Sequence, residues 1–197
     1  MNNTLIIDAN PGGDASDAEL LARHAQGDEQ AFTDLFLRHR HRLWSVALRT
    51  TRNPEDAADA LQEAMIAAFR KATTFRGQSA VTTWLHRIVV NACLDRLRRN
   101  KVRRAEELPE NLDRDLRLTS PDDPELAVDR SEMASEVAQA MAQINPDQRA
   151  ALVLVDMQGY PVEDAARILG CAVGTIKSRC ARGRAKLAPL LAHHRHG

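Results

Sequence analysis

The sequence predicts an all-α protein, two helical domains joined by a flexible acidic linker. Three observations carry that prediction. Ala, Leu, Arg, Asp and Glu dominate while aromatic residues make up only 4% of the 197 residues, a mix that favours helix over sandwich or barrel. Apolar residues recur at helical spacing along 16–104 and again along 133–191. Between these stretches, 105–132 holds ten acids against three arginines, together with Pro109, Pro121 and Pro124. Such a segment has little apolar surface to bury and resists regular helix. It is either a solvated tether or an anionic strand that competes with nucleic acid for basic helices.

The first domain opens at Ser16, a capping residue with Glu19 three positions on. Leu20 and Leu21 follow, and Gly27 breaks the helix. Ala31, Phe32, Leu35, Phe36, Leu43, Val46, Ala47 and Leu48 then mark a second helix by their spacing, and all are expected in the core. A third starts at Asn53-Pro54, with Glu55 and Asp56 at its positive end. Its buried face is expected to hold Ala57, Leu61, Ala64, Met65, Ala68 and Phe69, which leaves Asp56, Asp59, Gln62 and Glu63 on another face. That acidic face is a solvated surface or a docking surface, and spacing does not choose between them.

Residues 76–79 form a turn, from which Ser79 is expected to cap the fourth helix. Its apolar stripe is Trp84, Leu85, Ile88, Val89, Ala92, Cys93 and Leu97, with Trp84 packing the domain. The opposite side carries Arg87, Asn91, Asp95, Arg98 and Arg99 and runs into "DRLRRNKVRR". Clustered Arg and Lys on one helix face suit phosphates, and Asn and Arg also read base edges.

In the second domain Val137, Ala140, Met141 and Ile144 mark one helix. Asn145-Pro146-Asp147 starts the next, whose apolar side is Ala151, Leu152, Leu154, Val155 and Met157 and whose end is Gly159. A short helix follows with Ala165, Ala166 and Leu169 inward, then a left-handed turn at Gly170. The last helix, "GTIKSRCARGRAKL", turns Ile176, Cys180 and Leu187 inward and its bases outward. Short helix, glycine turn and basic helix together make a helix-turn-helix.

The formal net charge is zero, so these two basic blocks are local concentrations in a neutral chain. No apolar run approaches the ~20 residues that span a bilayer, and "MNNTLIIDANPGGD" lacks the pattern of a secretory signal. A cytoplasmic protein is expected. Cys93, Cys171 and Cys180 form neither a CxxC pair nor a bridge framework, and with the terminal "HHRH" they match no zinc spacing. Reduced thiols in apolar positions are expected. No P-loop, nucleophile–base pair or metal motif is present in the sequence, so neither enzymatic chemistry nor a cofactor is expected.

Three motifs in this order, "EDAADALQEAMIAAF", "FRGQSAVTTWLHRIVVNACLDRLRR" and "PDQRAALVLVDMQGYPVEDAARILGCAVGTIKSRCARGRAKL", resemble the sigma-70 family of bacterial RNA polymerase sigma factors, in its extracytoplasmic-function group. The resemblance covers nearly all of the chain beyond the first fifteen residues. It implies a region 2 domain at 16–104, the acidic linker at 105–132 and a region 4 helix-turn-helix domain at 133–191. It also implies roles by position. Asp56, Asp59, Gln62 and Glu63 would bind polymerase, although Ala58, Ala60 and Met65 stand where Glu, Leu and Phe are frequent in the family. Phe75, Arg76, Gln78 and Ser79 fall in the loop that captures a flipped base, and Asn91, Asp95, Arg98 and Arg99 in the minus-ten recognition helix. Thr175, Lys177, Ser178, Arg179 and Arg182 fall in the minus-35 recognition helix, where Arg179 has an alternative partner in Glu163. Gly183 replaces a frequent Ala, at an expected cost of up to ~1 kcal/mol.

The implied function is promoter recognition at the minus-ten and minus-35 elements and promoter opening. The implied partners are core RNA polymerase (the β′ clamp helices and the β flap), promoter DNA and an anti-sigma factor, without membrane insertion. The rival readings are a stand-alone regulator that binds DNA through the helix-turn-helix, and a helical interaction protein with no DNA role.

Overall fold

The computed structural model describes residues 15–106 and 132–192. The N-terminal fourteen residues, the linker acids from Glu107 to Asp129 and the C-terminal histidines lie outside them. Eight α-helices run in order: α1 (Asp17–Ala25), α2 (Glu29–Thr51), α3 (Pro54–Lys71), α4 (Val81–Glu106), α5 (Glu132–Ala142), α6 (Pro146–Leu152), α7 (Val162–Leu169) and α8 (Val173–Leu190). No strand occurs among the described residues, and none of their helices is long and apolar enough to cross a membrane.

Local chemistry explains most of the boundaries. Ser16 and Glu19 form the reciprocal capping box of α1. Asn53 Oδ1 accepts from Asp56 N at 2.9 Å to start α3, and Asn145 Oδ1 accepts from Asp147 N at 3.0 Å to start α6. Gly170, at φ 61°, ends α7 in the left-handed region that glycine enters without a Cβ clash. Ser79 does not cap α4. The helix starts at Val81 and Trp84 N donates to Ala80 O, so Ala80 holds the capping position.

Helices α1 to α4 pack around α2, with α3 and α4 against each other. The face of α3 in the core is made of small residues, Ala57, Ala60, Ala64 and Ala68. Phe69 departs from expectation: it is 41% exposed beside Ile66 at 46%, while one side of its ring rests on Phe32 and His24. Four small residues bring α3 so near its neighbours that the larger ones stay at the rim. Helix α4 is buried on two sides. Leu85, Val89 and Cys93 form one row, and His86, Val90 and Leu94 a second, displaced by about 100°.

The second row exists because α7 packs on α4. His86 Nδ1 lies 2.5 Å from the Tyr160 hydroxyl, which joins the two halves of the chain. Burial pushes the His86 imidazole down to about 4, helped by the positive Arg42 and His39 nearby. A second junction is Arg149, 5% exposed. Its Nε donates to Thr50 O at 2.8 Å, near the end of α2, and its NH1 to Met141 O in the last turn of α5 at 3.3 Å and to Ile144 O just beyond it at 3.4 Å. One guanidinium thus satisfies carbonyls left over at two helix ends, one from each half. Burial and the neighbouring Arg52 lower its pKa to about 10, so it stays charged at neutral pH.

In the second half α6 and α8 pack closely, and α6 passes into a π-helical turn at Val153–Met157. Of the expected apolar positions, Met157 is 38% exposed; on α7 the buried side chain is Ile168, with Leu169 half-buried. Gly183 is where α8 meets α6: a Cβ there would come within 2.7 Å of Leu152 Cδ1. Its glycine is therefore a contact requirement, which outweighs the helix propensity that alanine would add. Gly174, by contrast, has open space where a Cβ would go. Gly174→Ala should raise stability by about 0.5 kcal/mol, and Gly183→Ala should lower it by about 1 kcal/mol or more as Leu152 repacks, both read by urea denaturation.

The depressed His86 fixes a sign for pH. The folded chain prefers the neutral ring, so its contribution is complete above the unfolded pKa near 6.5 and is lost as pH falls from there toward 4. Denaturation midpoints should fall over that window, and His86→Gln, which keeps a partner for Tyr160 without a titrating ring, should flatten the decline.

Candidate polymerase and nucleic-acid interface

Helix α3 projects its acids toward α4. Asp56, with only 16% of its side chain exposed, accepts from Arg96 Nε at 2.8 Å and Asn100 Nδ2 at 2.9 Å. It is a strut between two helices, set apart from the three polar residues it was grouped with. Asp59 and Glu63 are 50% and 45% exposed. Asp59 pairs with Arg96; Glu63 pairs with Arg99 at 2.7 Å and lies 3.6 Å from Arg96. Gln62 is exposed between them. Asp59, Gln62 and Glu63 therefore make one open face, and Ile66 and Phe69 continue it by one and two turns.

The loop before α4 leaves Arg76 and Gln78 exposed and turns at Gly77, whose φ is 67°. Phe75 is half-buried, its ring 5.3 Å from that of Trp84, so Trp84 is the floor on which Phe75 rests. Ser79 is half-buried beside them. Along α4, Asn91, Asp95 and Arg98 share an exposed face at helical spacing, and Asp95 holds Arg98 at 2.8 Å. The loop and Arg98 stand at opposite ends of about 25 Å of helix. Arg87, Lys101 and Arg104 are exposed without an ion pair among the described residues.

In the helix-turn-helix, Cys171 N donates to Ala166 O at 3.0 Å across the turn, and buried Ala165 and Ala166 let α7 lie close to α8. Ala172 at the start of α8 offers no side-chain cap, so first-turn N–H groups are left for an anion. Lys177 and Arg182 are exposed without an ion pair among the described residues; Thr175 is half-buried, and the Ser178 hydroxyl donates to Thr175 O at 2.9 Å. Arg179 does not reach Glu163. Its NH2 lies 3.5 Å from Asp147 Oδ1 and its NH1 3.7 Å from Cys171 Sγ. Arg184 is tied by two bonds to Asp156, at 3.0 and 2.6 Å, which raises its pKa. Of the five bases on α8, Lys177, Arg182 and Lys186 have no ion pair among the described residues.

Sequence reasoning missed His86, Tyr160 and Arg149 altogether and gave Asp147 only a capping role. Signals existed for two of them. His86 is in register with Val90 and Leu94, and Arg149 stands directly before the apolar run 150–155. Burial raises the thiol pKa of Cys93 to about 12 and also raises that of Cys180, as expected of reduced thiols in apolar positions.

Residues 35–103 match the family Sigma-70 region 2 and residues 134–187 match Sigma-70, region 4. The ECF RNA polymerase sigma factor SigM of Mycobacterium tuberculosis (strain ATCC 25618 / H37Rv) is 51% identical over 181 residues, covering 90% of this chain and 86% of that protein. The chain belongs to the extracytoplasmic-function group of the sigma-70 family. The ECF RNA polymerase sigma-E factor of Escherichia coli (strain K12) is 33% identical over 89% of this chain and 96% of its own length. Among solved structures, the sigma factor RpoE in complex with the anti-sigma factor NepR from Bartonella quintana matches at a TM-score of 0.62 and 27% identity, over 82% of this chain and 96% of that one. CnrH in complex with the cytosolic domain of CnrY matches at 0.62 and 26%, over 90% and 97%. As a sigma factor, the chain binds core RNA polymerase and promoter DNA and directs promoter-specific initiation.

The division between strut and open face is testable by stability alone. Asp56→Ala should cost about 1–3 kcal/mol, because it leaves Arg96 and Asn100 short of a partner in a covered site. Asp59→Ala, on the exposed side, should stay within about 0.5 kcal/mol. Chemical denaturation of the two variants checks this.

Proposed function

We propose that 16–104 binds polymerase and reads the minus-ten element, and that 133–191 reads the minus-35 element, with 105–132 as the connection between them. Asp59, Gln62 and Glu63 contact polymerase directly, and Asp56 positions α3 for that contact. Phe75, Arg76, Gln78 and Ser79 receive a base flipped out of the minus-ten element, with Phe75 offering a ring to stack on. Asn91, Arg98 and Arg99 approach the duplex beside it, and Asp95 orients Arg98. In α8, Lys177 and Arg182 meet phosphates or guanine edges, Thr175 and Ser178 line the entry, and Arg179 joins them once released from Asp147.

The observation that carries this reading is the sorting of charge. Along α4 and α8, Arg87, Lys101, Lys177 and Arg182 are exposed without an ion pair among the described residues, while Asp59 and Glu63 share the open face of α3 with Gln62. A nucleic-acid face and a basic-protein face are thereby kept apart on one small chain. The chain contributes binding and deformation energy to promoter opening and no covalent step of its own. One structurally similar sigma factor was solved in complex with an anti-sigma factor; we infer that this chain is restrained in the same manner, in the cytoplasm.

In vitro transcription with purified core polymerase and a promoter library tests the reading. The wild-type chain should yield specific transcripts, and Gln62→Ala plus Glu63→Ala should reduce them roughly tenfold or more through lost polymerase affinity. Tight duplex binding by the chain alone, with no transcripts, would favour a stand-alone regulator.

A further inference from the structure

Arg52 is the only non-glycine residue among the described residues with a left-handed backbone, at φ 68° where α2 ends. Side chains of L-residues disfavour that conformation, in which glycine is at ease. Its guanidinium is half-buried, its Nε is enclosed, and none of its guanidinium donors meets an acceptor among the described residues. Beside it stands Arg149, 5% exposed, which uses Nε on Thr50 O and NH1 on Met141 O and Ile144 O and has no hydrogen bond at NH2 among the described residues. Burial lowers the pKa of Arg52, burial and Arg52 together lower that of Arg149, and no described carboxylate raises either. Arg49, one turn before Arg52, is exposed without an ion pair among the described residues and adds a third positive charge to this helix end. An enclosed donor without a partner and a like charge close by are both unfavourable. The chain nonetheless places an arginine where its backbone suits glycine.

We propose that Arg52 and Arg149 form an anion site where α2 meets α6, and that its ligand is inorganic phosphate or the terminal phosphate of a monoester. Guanidinium forks bind oxyanions through paired N–H donors. Arg52 offers all of its side-chain donors, and Arg149 offers its NH2. Charge selects the class of ligand. Two guanidinium groups carry two positive charges, and a terminal phosphate carries about −1.5 to −2 at pH 7. A carboxylate or a phosphodiester carries a single negative charge and leaves the covered pair half neutralised. One fork belongs to α2 and the other to α6, so the ligand bridges elements far apart in sequence and stabilises, by mass action, the contact that Arg149 makes with Thr50 O. Neither arginine is assigned to polymerase or to DNA, so the proposal stands apart from the reading of those contacts: a phosphate bound here is an effector of the fold.

The test titrates inorganic phosphate, dimethyl phosphate and acetate, at equal ionic strength, into the full-length wild-type chain and into Arg52→Gly, with isothermal calorimetry as the readout. Arg52→Gly removes the fork and relieves the left-handed position. In phosphate-free buffer it should therefore be at least as stable to urea as the wild type, with unchanged circular dichroism. The wild type should bind phosphate saturably, and Arg52→Gly should bind it roughly tenfold or more weakly, the loss of one charge-assisted contact. Arg52→Asn, whose side chain also tolerates this backbone, should show the same loss. Dimethyl phosphate and acetate should bind the wild type far more weakly than phosphate. Equal phosphate binding by the wild type and both variants would overturn the site, and equal binding of the singly charged anions would overturn the ligand class. Absence of phosphate binding by the wild type overturns the proposal as well. If a chain whose acids in 107–129 are changed to amides then binds phosphate, those carboxylates are the occupant instead. Transcription is not the readout, so failure here leaves the proposed function standing.

Discussion

A buried guanidinium is costly unless its donors are met, and the arrangement of this chain follows from how Arg149 is met. Its partners are the carbonyl of Thr50 near the end of α2, that of Met141 in the last turn of α5 and that of Ile144 just beyond it. Carbonyls at helix ends lack the partners that the helix interior supplies. The same contact fixes the start of α6 against the end of α2. Once α6 is placed, Leu152 meets Gly183 and sets α8, while α7 swings onto α4 and buries His86 under Tyr160. The position of the recognition helix is thus an indirect consequence of one side chain in the middle of a neighbouring helix.

Charge pairing is the second organising feature. The net charge is zero, and much of the balance is local: Asp56, Asp59 and Glu63 hold Arg96 and Arg99, Asp156 holds Arg184, and Asp147 lies between Arg98 and Arg179. What remains unpaired is informative because it is a remainder. Lys177 and Arg182 on α8, and Arg87 and Lys101 on α4, are cations that the fold leaves for a partner. The acids on the open face of α3 are also the ones that steady α4, so docking on that face and the freedom of Arg99 draw on the same Glu63 carboxylate.

Much of this was legible in the sequence because it is set locally. The caps at Ser16, Asn53 and Asn145 and the turn at Gly170 need only neighbours within a few residues, and each forms as its residue type dictates. The open face of Asp59, Gln62 and Glu63 and that of Asn91, Asp95 and Arg98 follow from helical spacing alone. Other features depend on what arrives from far along the chain. Periodicity placed Phe69 inside, but an alanine face on α3 closes the gap and leaves it at the rim. Arg179 looked toward Glu163 across its own turn, whereas its partner Asp147 comes from α6. Gly183 looked like a propensity defect until Leu152 came into view. His86 and Arg149 stand beside apolar residues in their helices, a signal that they are covered, but which distant helix covers them is not written locally.

The central claim is that Arg149 joins the two halves of the chain and sets where α8 lies. It is tested most directly by pulsed dipolar spectroscopy between spin labels at two exposed positions, Lys71 on α3 and Lys186 on α8. The chain with Arg149 intact should give one narrow distance, and Arg149→Met a broad distribution. The same distribution in both proteins, narrow or broad, would contradict the account.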